Sequence, residues 1–137
     1  MSRRLAAVAV AALICVGPLA PDTGAVGGQT FKGKTAQKFR IQLSVEPGSV
    51  TLVRVKVRLR CLDGGVLYDD LSDFQFSPLR SRGRFADLQY GTTDVVRWRG
   101  RVRKGSVRGK LRVRDRVESG ATCDSGFVGF ATKPAHG

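Results

Sequence analysis

The stretch VVRWRGRVRKGSVRGKLRVRDRV, residues 95–117, decides the fold. Val96, Trp98, Gly100 and Val102 alternate with Arg97, Arg99, Arg101 and Arg103; Val107, Gly109, Leu111 and Val113 alternate with Arg108, Lys110, Arg112 and Arg114. A period of two residues marks a half-buried strand, whereas a helix would not sort these cations onto one face. Lys104-Gly105 stands between the runs as a turn, so the stretch reads as a β-hairpin. Register follows, because a slip of one residue would send every apolar side chain to solvent. With Val102 facing Val107, Gly100 facing Gly109, Trp98 facing Leu111 and Val96 facing Val113, apolar meets apolar throughout. The same register opposes Arg101 to Arg108, Arg99 to Lys110 and Arg97 to Arg112. Like charges directly opposite destabilise a sheet by roughly 0.2–1 kcal/mol per pair, so this face is either well solvated or made for an anion.

The full chain of 137 residues has 24 Lys and Arg against 11 Asp and Glu, a formal net charge of +13. Its 17 Arg against 7 Lys, two Ile and absence of Asn fit GC-rich coding that fills solvent positions with arginine. Such a bias accounts for Arg over Lys but not for the excess of cations over acids. Net charge speaks to solubility and association, and leaves fold and ligand open.

The N-terminus has the layout of a secretory signal peptide: Arg3 and Arg4, an apolar run of 12 residues (5–16), then the small-residue cleavage site Thr23-Gly24-Ala25. The run is shorter than the roughly 20 apolar residues a membrane-spanning helix needs, and no transmembrane segment is expected in the mature chain. Cys15 follows Ile14, where a lipoprotein signal needs Gly, Ala or Ser, and ordinary Sec export is favoured over a twin-arginine route. The expected domains are thus the leader, 1–25, and one secreted β-domain, 26–137. Removing the leader, with Arg3, Arg4 and Asp22, leaves 112 residues and a net charge of +12. Cys61 and Cys123 are then the two cysteines of an oxidising compartment, where a disulfide is the default.

Outward from the hairpin, strand signals recur every 8–12 residues. Phe31-Lys32-Gly33-Lys34-Thr35 shares the apolar-cation-Gly-cation spacing of the hairpin strands, and its inward glycine reads as a bend or close backbone approach. Phe39, Ile41, Leu43 and Val45 alternate with Arg40, Gln42 and Ser44. Glu46-Pro47-Gly48-Ser49 is a type II turn. The next run starts in one phase with Val50 and Leu52 and shifts to Val53, Val55, Val57, Leu59 and Cys61, as a β-bulge at Leu52-Val53 would produce; Arg54, Lys56, Arg58 and Arg60 line its outer face. Residues 62–79 carry Asp63, Asp69, Asp70 and Asp73 and no cation, and read as a turn-rich acidic loop with one short strand at Phe74 and Phe76 stopped by Pro78. Residues 80–84 form a basic loop, 85–90 a strand, and 127–132 the last strand.

The signal peptide, FKGKTAQKFRIQL (31–43), VRVKVRLRC (53–61), RGRVRKGSVRGKLRV (99–113) and CDSGFVGFAT (123–132) resemble a group of small secreted β-sandwich proteins of actinobacteria. The resemblance spans nearly all of the mature chain. The group has no assigned activity, so the resemblance implies a fold and a compartment and carries over no site residue.

Three constellations bear on chemistry. Asp124-Ser125-Gly126 resembles the nucleophile motif of trypsin-like proteases, but the sole histidine, His136, is second from the end and no base or orienting group is at hand, so a turn is the better reading. Asp69, Asp70 and Asp73 supply hard oxygens, yet calcium needs six to eight and no calcium-loop spacing is present, which favours a solvated acidic loop and no metal site. These aspartates could also lie against the cationic face and reduce its self-repulsion. Nucleic-acid readers interleave aromatics with their cations; Trp98 falls on the apolar face with no aromatic among the arginines, so specific nucleic-acid recognition is not expected.

The expected fold is an all-β antiparallel sandwich or flattened barrel of about seven to nine strands with one disulfide. The expected protein is secreted, extracellular or attached to the cell wall, with neither enzymatic activity nor cofactor. It would bind an anionic cell-wall polymer or other extracellular polyanion through Arg54, Lys56, Arg58, Arg60, Arg97, Arg99, Arg101, Arg108, Lys110, Arg112 and Arg114. Two alternatives stay open: a protein-interaction or inhibitor domain working through the loop at Arg80 to Arg84, and a hydrolase whose site is not recognisable. Replacing Arg99, Lys110 and Arg112 by glutamate is expected to abolish polyanion binding and leave the fold intact.

Overall fold

The computed structural model describes residues 28–72 and 76–136. The leader and the stretch holding Asp73 and Phe74 lie outside the described residues. Ten strands follow in order: β1 (Gln29–Thr35), β2 (Arg40–Glu46), β3 (Ser49–Cys61), β4 (Val66–Ser72), β5 (Phe76–Pro78), β6 (Arg84–Tyr90), β7 (Asp94–Arg103), β8 (Ser106–Arg116), β9 (Thr122–Asp124) and β10 (Val128–Pro134). One 3-10 turn, Ser81–Gly83, precedes β6. All pairings are antiparallel.

The hairpin β7–β8 has the register read from its alternation, from Asp94 opposite Asp115 to Arg103 opposite Ser106, with Trp98 opposite Leu111. Trp98 is 2% exposed, a core residue as its phase demands. Gly105 closes the turn at φ +75°, a backbone region an L side chain rarely enters. The bulge also stands where the phase change put it: Leu43 faces Leu52 and Gln42 faces Arg54, which skips Val53.

Closure decides between the sandwich and the barrel that were both expected. Six strands form a ring, β1–β2–β3–β9–β8–β10 and back to β1, so the molecule is a closed barrel and not a two-sheet sandwich. The long strands β3 and β8 each extend the sheet beyond the ring, β3 through β4 and β5, β8 through β7 and then β6. Ser77 on β5 donates to Asp87 on β6 at 3.2 Å, which joins the two extensions. The count is ten strands instead of seven to nine because two short or acidic segments pair. Residues 66–72 are a strand and not part of a loop; Leu67 and Leu71 turn inward with Asp69 between them. Thr122–Asp124 forms a three-residue strand beside Cys61.

The ring has one thin seam. β3 meets β9 through only two residue pairs, Arg60–Asp124 and Cys61–Cys123, and the Cys61–Cys123 disulfide bonds the second pair covalently. On the same edge of β3, between β2 and β9, the side chain of Gln37 takes the place of a strand. Its Nε2 donates to the Arg58 carbonyl and its Oε1 accepts the Arg58 N–H, both at 2.9 Å. Two backbone groups that would otherwise lack a partner in the ladder are thereby satisfied.

Inside, one level of the sheet runs Phe85–Gly100–Gly109–Phe130 across β6, β7, β8 and β10. The glycines leave room for the rings: a Cβ on Gly100 would stand 2.6 Å from Phe85 Cζ, and one on Gly109 2.7 Å from Phe130 Cζ. The glycines read as points of close approach serve that purpose here.

Candidate anion-binding surface

Alternation puts every second residue of each strand outside, and pairing decides which outward cations become neighbours. On the hairpin, Arg97 faces Arg112, Arg99 faces Lys110 and Arg101 faces Arg108. β6 extends this face with Arg84 opposite Arg101 and Leu88 opposite Arg97. Just before β10 lies Phe127, 43% exposed, with the guanidinium groups of Arg99 and Arg112 at 5.3 and 5.6 Å from its ring centroid. Arg97, Arg99, Arg101, Arg108 and Lys110 have no carboxylate partner among the described residues.

Arg112 and Arg114 differ from their neighbours, because Asp124 occupies them. Arg112 grips this carboxylate with two N–H groups, Nε reaching Oδ1 at 3.0 Å and an Nη reaching Oδ2, and Arg114 Nε reaches Oδ2 at 2.9 Å. Asp124 also accepts the Gly126 N–H at 2.8 Å. Ser125 Oγ accepts the Val113 N–H at 2.9 Å and donates to the Gly126 carbonyl at 2.7 Å. Both its partners are backbone groups. The Asp124-Ser125-Gly126 turn thus fastens β9 to β8, in keeping with the turn reading of this motif. Arg112 accordingly leaves the set of cations free for a ligand, and its reversal to glutamate would damage the fold.

The Arg112 hydrogen bonds, with further help from Gly126 and Arg114, hold the Asp124 carboxyl well below the usual carboxylate range. A depressed folded-state value means that the folded protein binds this proton more weakly than the unfolded chain. The stabilisation is therefore complete above about pH 4 and falls away as pH drops below that. Asp124→Asn is expected to lower stability at pH 7 by about 1–2 kcal/mol, less than a fully buried charged pair because both side chains are about 30% exposed. Urea unfolding at pH 7, 4 and 2 checks this: the gap between parent and variant should narrow toward pH 2. A gap that stays constant would exclude the ion pair as its cause.

A second cationic surface covers β1 to β4. Lys32 faces Gln42 and Lys34 faces Arg40 across β1–β2, and Gln42 faces Arg54 across β2–β3. Ile41 opposes Val55, so Arg40 comes level with Lys56. These side chains line an open groove of about 780 Å³ that Asp70 closes on the β4 side. Asp70 binds Arg54 with two contacts, 3.0 and 3.3 Å, which lower the carboxyl below its ordinary value. Of the aspartates expected to lie against the cationic face, Asp70 does so here, and Arg54 is in part spoken for. Phe39 stands at the groove wall, its ring in edge contact with Tyr68 at 6.0 Å, and the Lys56 ammonium lies 5.7 and 5.2 Å from the two rings.

Phe39 was expected in phase with Ile41 and hence inside. Lys38, at φ +71°, and the turn from Thr35 to Phe39 come just before β2 begins, and the ring lies against the outward Lys56 and Tyr68. Aromatics therefore do stand among the cations, at Phe127 and at Phe39 with Tyr68, contrary to expectation. Arg58 faces Tyr68 and Arg60 faces Val66 along β3–β4, at the edge of this surface. Lys32, Lys34 and Arg40 were missed as site residues, although the Phe-Lys-Gly-Lys-Thr alternation of β1 already placed both lysines outside.

Of the aspartates weighed for calcium, Asp73 lies outside the described residues and the other two do not converge. Asp69 and Asp70 are neighbours on β4 and point to opposite faces, Asp70 out to Arg54 and Asp69 inward. Burial, and then the charges of Asp94 and Asp115, push the Asp69 carboxyl up. Among the described residues no group of three or more His, Cys, Asp or Glu side chains is placed to hold a metal ion. The loop at Arg80 to Arg84 is a tight turn, with the Arg80 N–H on the Arg84 carbonyl at 2.7 Å. No protein-family model matches the chain, and no curated protein or solved structure shows significant similarity to it.

Proposed function

We propose that the chain is a non-enzymatic, exported binding protein that attaches to anionic polymers of the cell envelope or the extracellular space; its resemblance to small secreted actinobacterial β-proteins supports the compartment alone. One observation carries this reading: Arg99 faces Lys110 and Arg101 faces Arg108 on the hairpin, without a carboxylate partner among the described residues. Each pair works against folding by a few tenths of a kcal/mol or more, and a bound polyanion would turn that repulsion into attraction. Phosphate-bearing wall polymers, anionic lipid headgroups and extracellular DNA are the polyanions accessible to an exported protein.

The variant that tests it is Arg99→Glu/Arg108→Glu/Lys110→Glu, which spares Arg112. All three side chains are exposed, and none is in an ion pair. In a pull-down on isolated cell walls the parent is expected to sediment with the wall and the variant to stay in solution, with superimposable circular dichroism. Equal sedimentation of both would remove the hairpin from the site.

A further inference from the structure

We infer that the groove on β1 to β4 is a binding site for single-stranded nucleic acid, distinct from the hairpin face. It rests on the reading above only in taking outward cations as ligand-facing, and it names a ligand class for a separate surface. Three cations stand level on three adjacent strands, Lys34, Arg40 and Lys56, with Lys32 one step along β1. Neighbouring strands are about 4.8 Å apart, so these charges form a continuous track and not isolated points. Lys32, Lys34 and Arg40 have no acidic partner among the described residues.

Charge alone would suit any polyanion. The aromatic end of the groove narrows the choice. Phe39 lines the groove, and Tyr68, 53% exposed on β4, meets it edge-on beside Lys56, two residues along β4 from the Asp70 that faces Lys56. Phosphates along a cationic groove with a π-face beside it are the two elements by which proteins hold single strands irrespective of sequence. Inorganic polyphosphate, which has neither base nor sugar, has no flat group to lay on the ring. The groove, at about 780 Å³, is within the size range of small-ligand sites.

The test is fluorescence anisotropy on the oxidised mature protein with a short labelled oligothymidylate, using inorganic polyphosphate and duplex DNA as competitors. Tyr68→Ser is expected to weaken oligothymidylate binding about fivefold or more, the lower end of the base-stacking range, and to leave polyphosphate competition unchanged, with Tyr68→Phe restoring the parent value. Lys34→Glu/Arg40→Glu should weaken both polymers and flatten the salt dependence. Equal binding of oligothymidylate and polyphosphate with Tyr68→Ser neutral would overturn the nucleic-acid assignment and leave polyanion binding standing. Oligothymidylate binding lost only in the hairpin variant would overturn the location. Failure of every polyanion to bind at low salt would overturn this inference and the function proposed above together.

Discussion

Replacing both cysteines, Cys61→Ala/Cys123→Ala, should cost roughly 4 kcal/mol of stability, the loop-closure value for a bridge spanning 62 residues. The loss should also be local before it is global. Only two residue pairs join β3 to β9, whereas β1–β10 and β10–β8 each have five. Without the sulfur bridge that seam retains those two pairs and the Leu62 N–H on the Thr122 carbonyl at 3.2 Å. Hydrogen exchange should therefore show the amides of Leu62 and Asp124 freed first, while Trp98 and Leu111 in the hairpin stay protected to the global limit. A double variant within 1 kcal/mol of the parent by urea unfolding, with unchanged exchange at the seam, would mean that the β8–β9 ladder and the Asp124 and Ser125 contacts hold β9 without the bridge.

The other large effect is expected at Gly109. A methyl group there meets the Arg99 carbonyl oxygen and the Phe130 ring, and the paired glycine at 100 leaves its own Cα only 3.0 Å away. Two of those three contacts are backbone, which cannot swing aside as a side-chain end can. Gly109→Ala is thus an overpacked site at the severe end of the usual range, about 3 kcal/mol, or a fall in Tm of roughly 12–24 °C for a domain this size. Gly129, whose added Cβ would come no nearer than 4.0 Å to the Gly109 carbonyl, is the control in the adjacent strand. Gly129→Ala should shift the melting temperature by no more than a few degrees, and a drop as large as that of Gly109→Ala would show that strand glycines matter here for some reason other than space.

These two sites also mark the limits of what the sequence discloses. The hairpin register was legible because Trp98, Leu111 and the flanking valines tolerate only one face inside, and the bulge was legible because β3 is long enough to show alternation on both sides of it. β4 was hidden by its own core-facing aspartate: Leu67-Tyr68-Asp69-Asp70-Leu71 reads as acidic loop when Asp69 fills an inward position. β9 is too short to show any period. Closure of the barrel depends on β1–β10, β10–β8 and β3–β9 pairings between distant segments, and alternation within a strand does not say which strand lies beside it. For the same reason the outward cations could be named one by one while their grouping into a hairpin face and a groove could not. Arg112 shows the consequence, since nothing in its own strand separates it from Arg99 or Lys110; only the arrival of Asp124 from β9 does.

The central claim is that cations on this barrel exist to hold an anionic polymer. It is tested most directly by the affinity of the oxidised mature protein for isolated cell walls across a salt series, with and without prior removal of the wall's phosphate polymers. Attachment by release of counterions predicts that the logarithm of the binding constant falls linearly and steeply with the logarithm of salt, and that binding disappears on stripped walls. Binding that is indifferent to salt, or equal on stripped walls, would contradict the account.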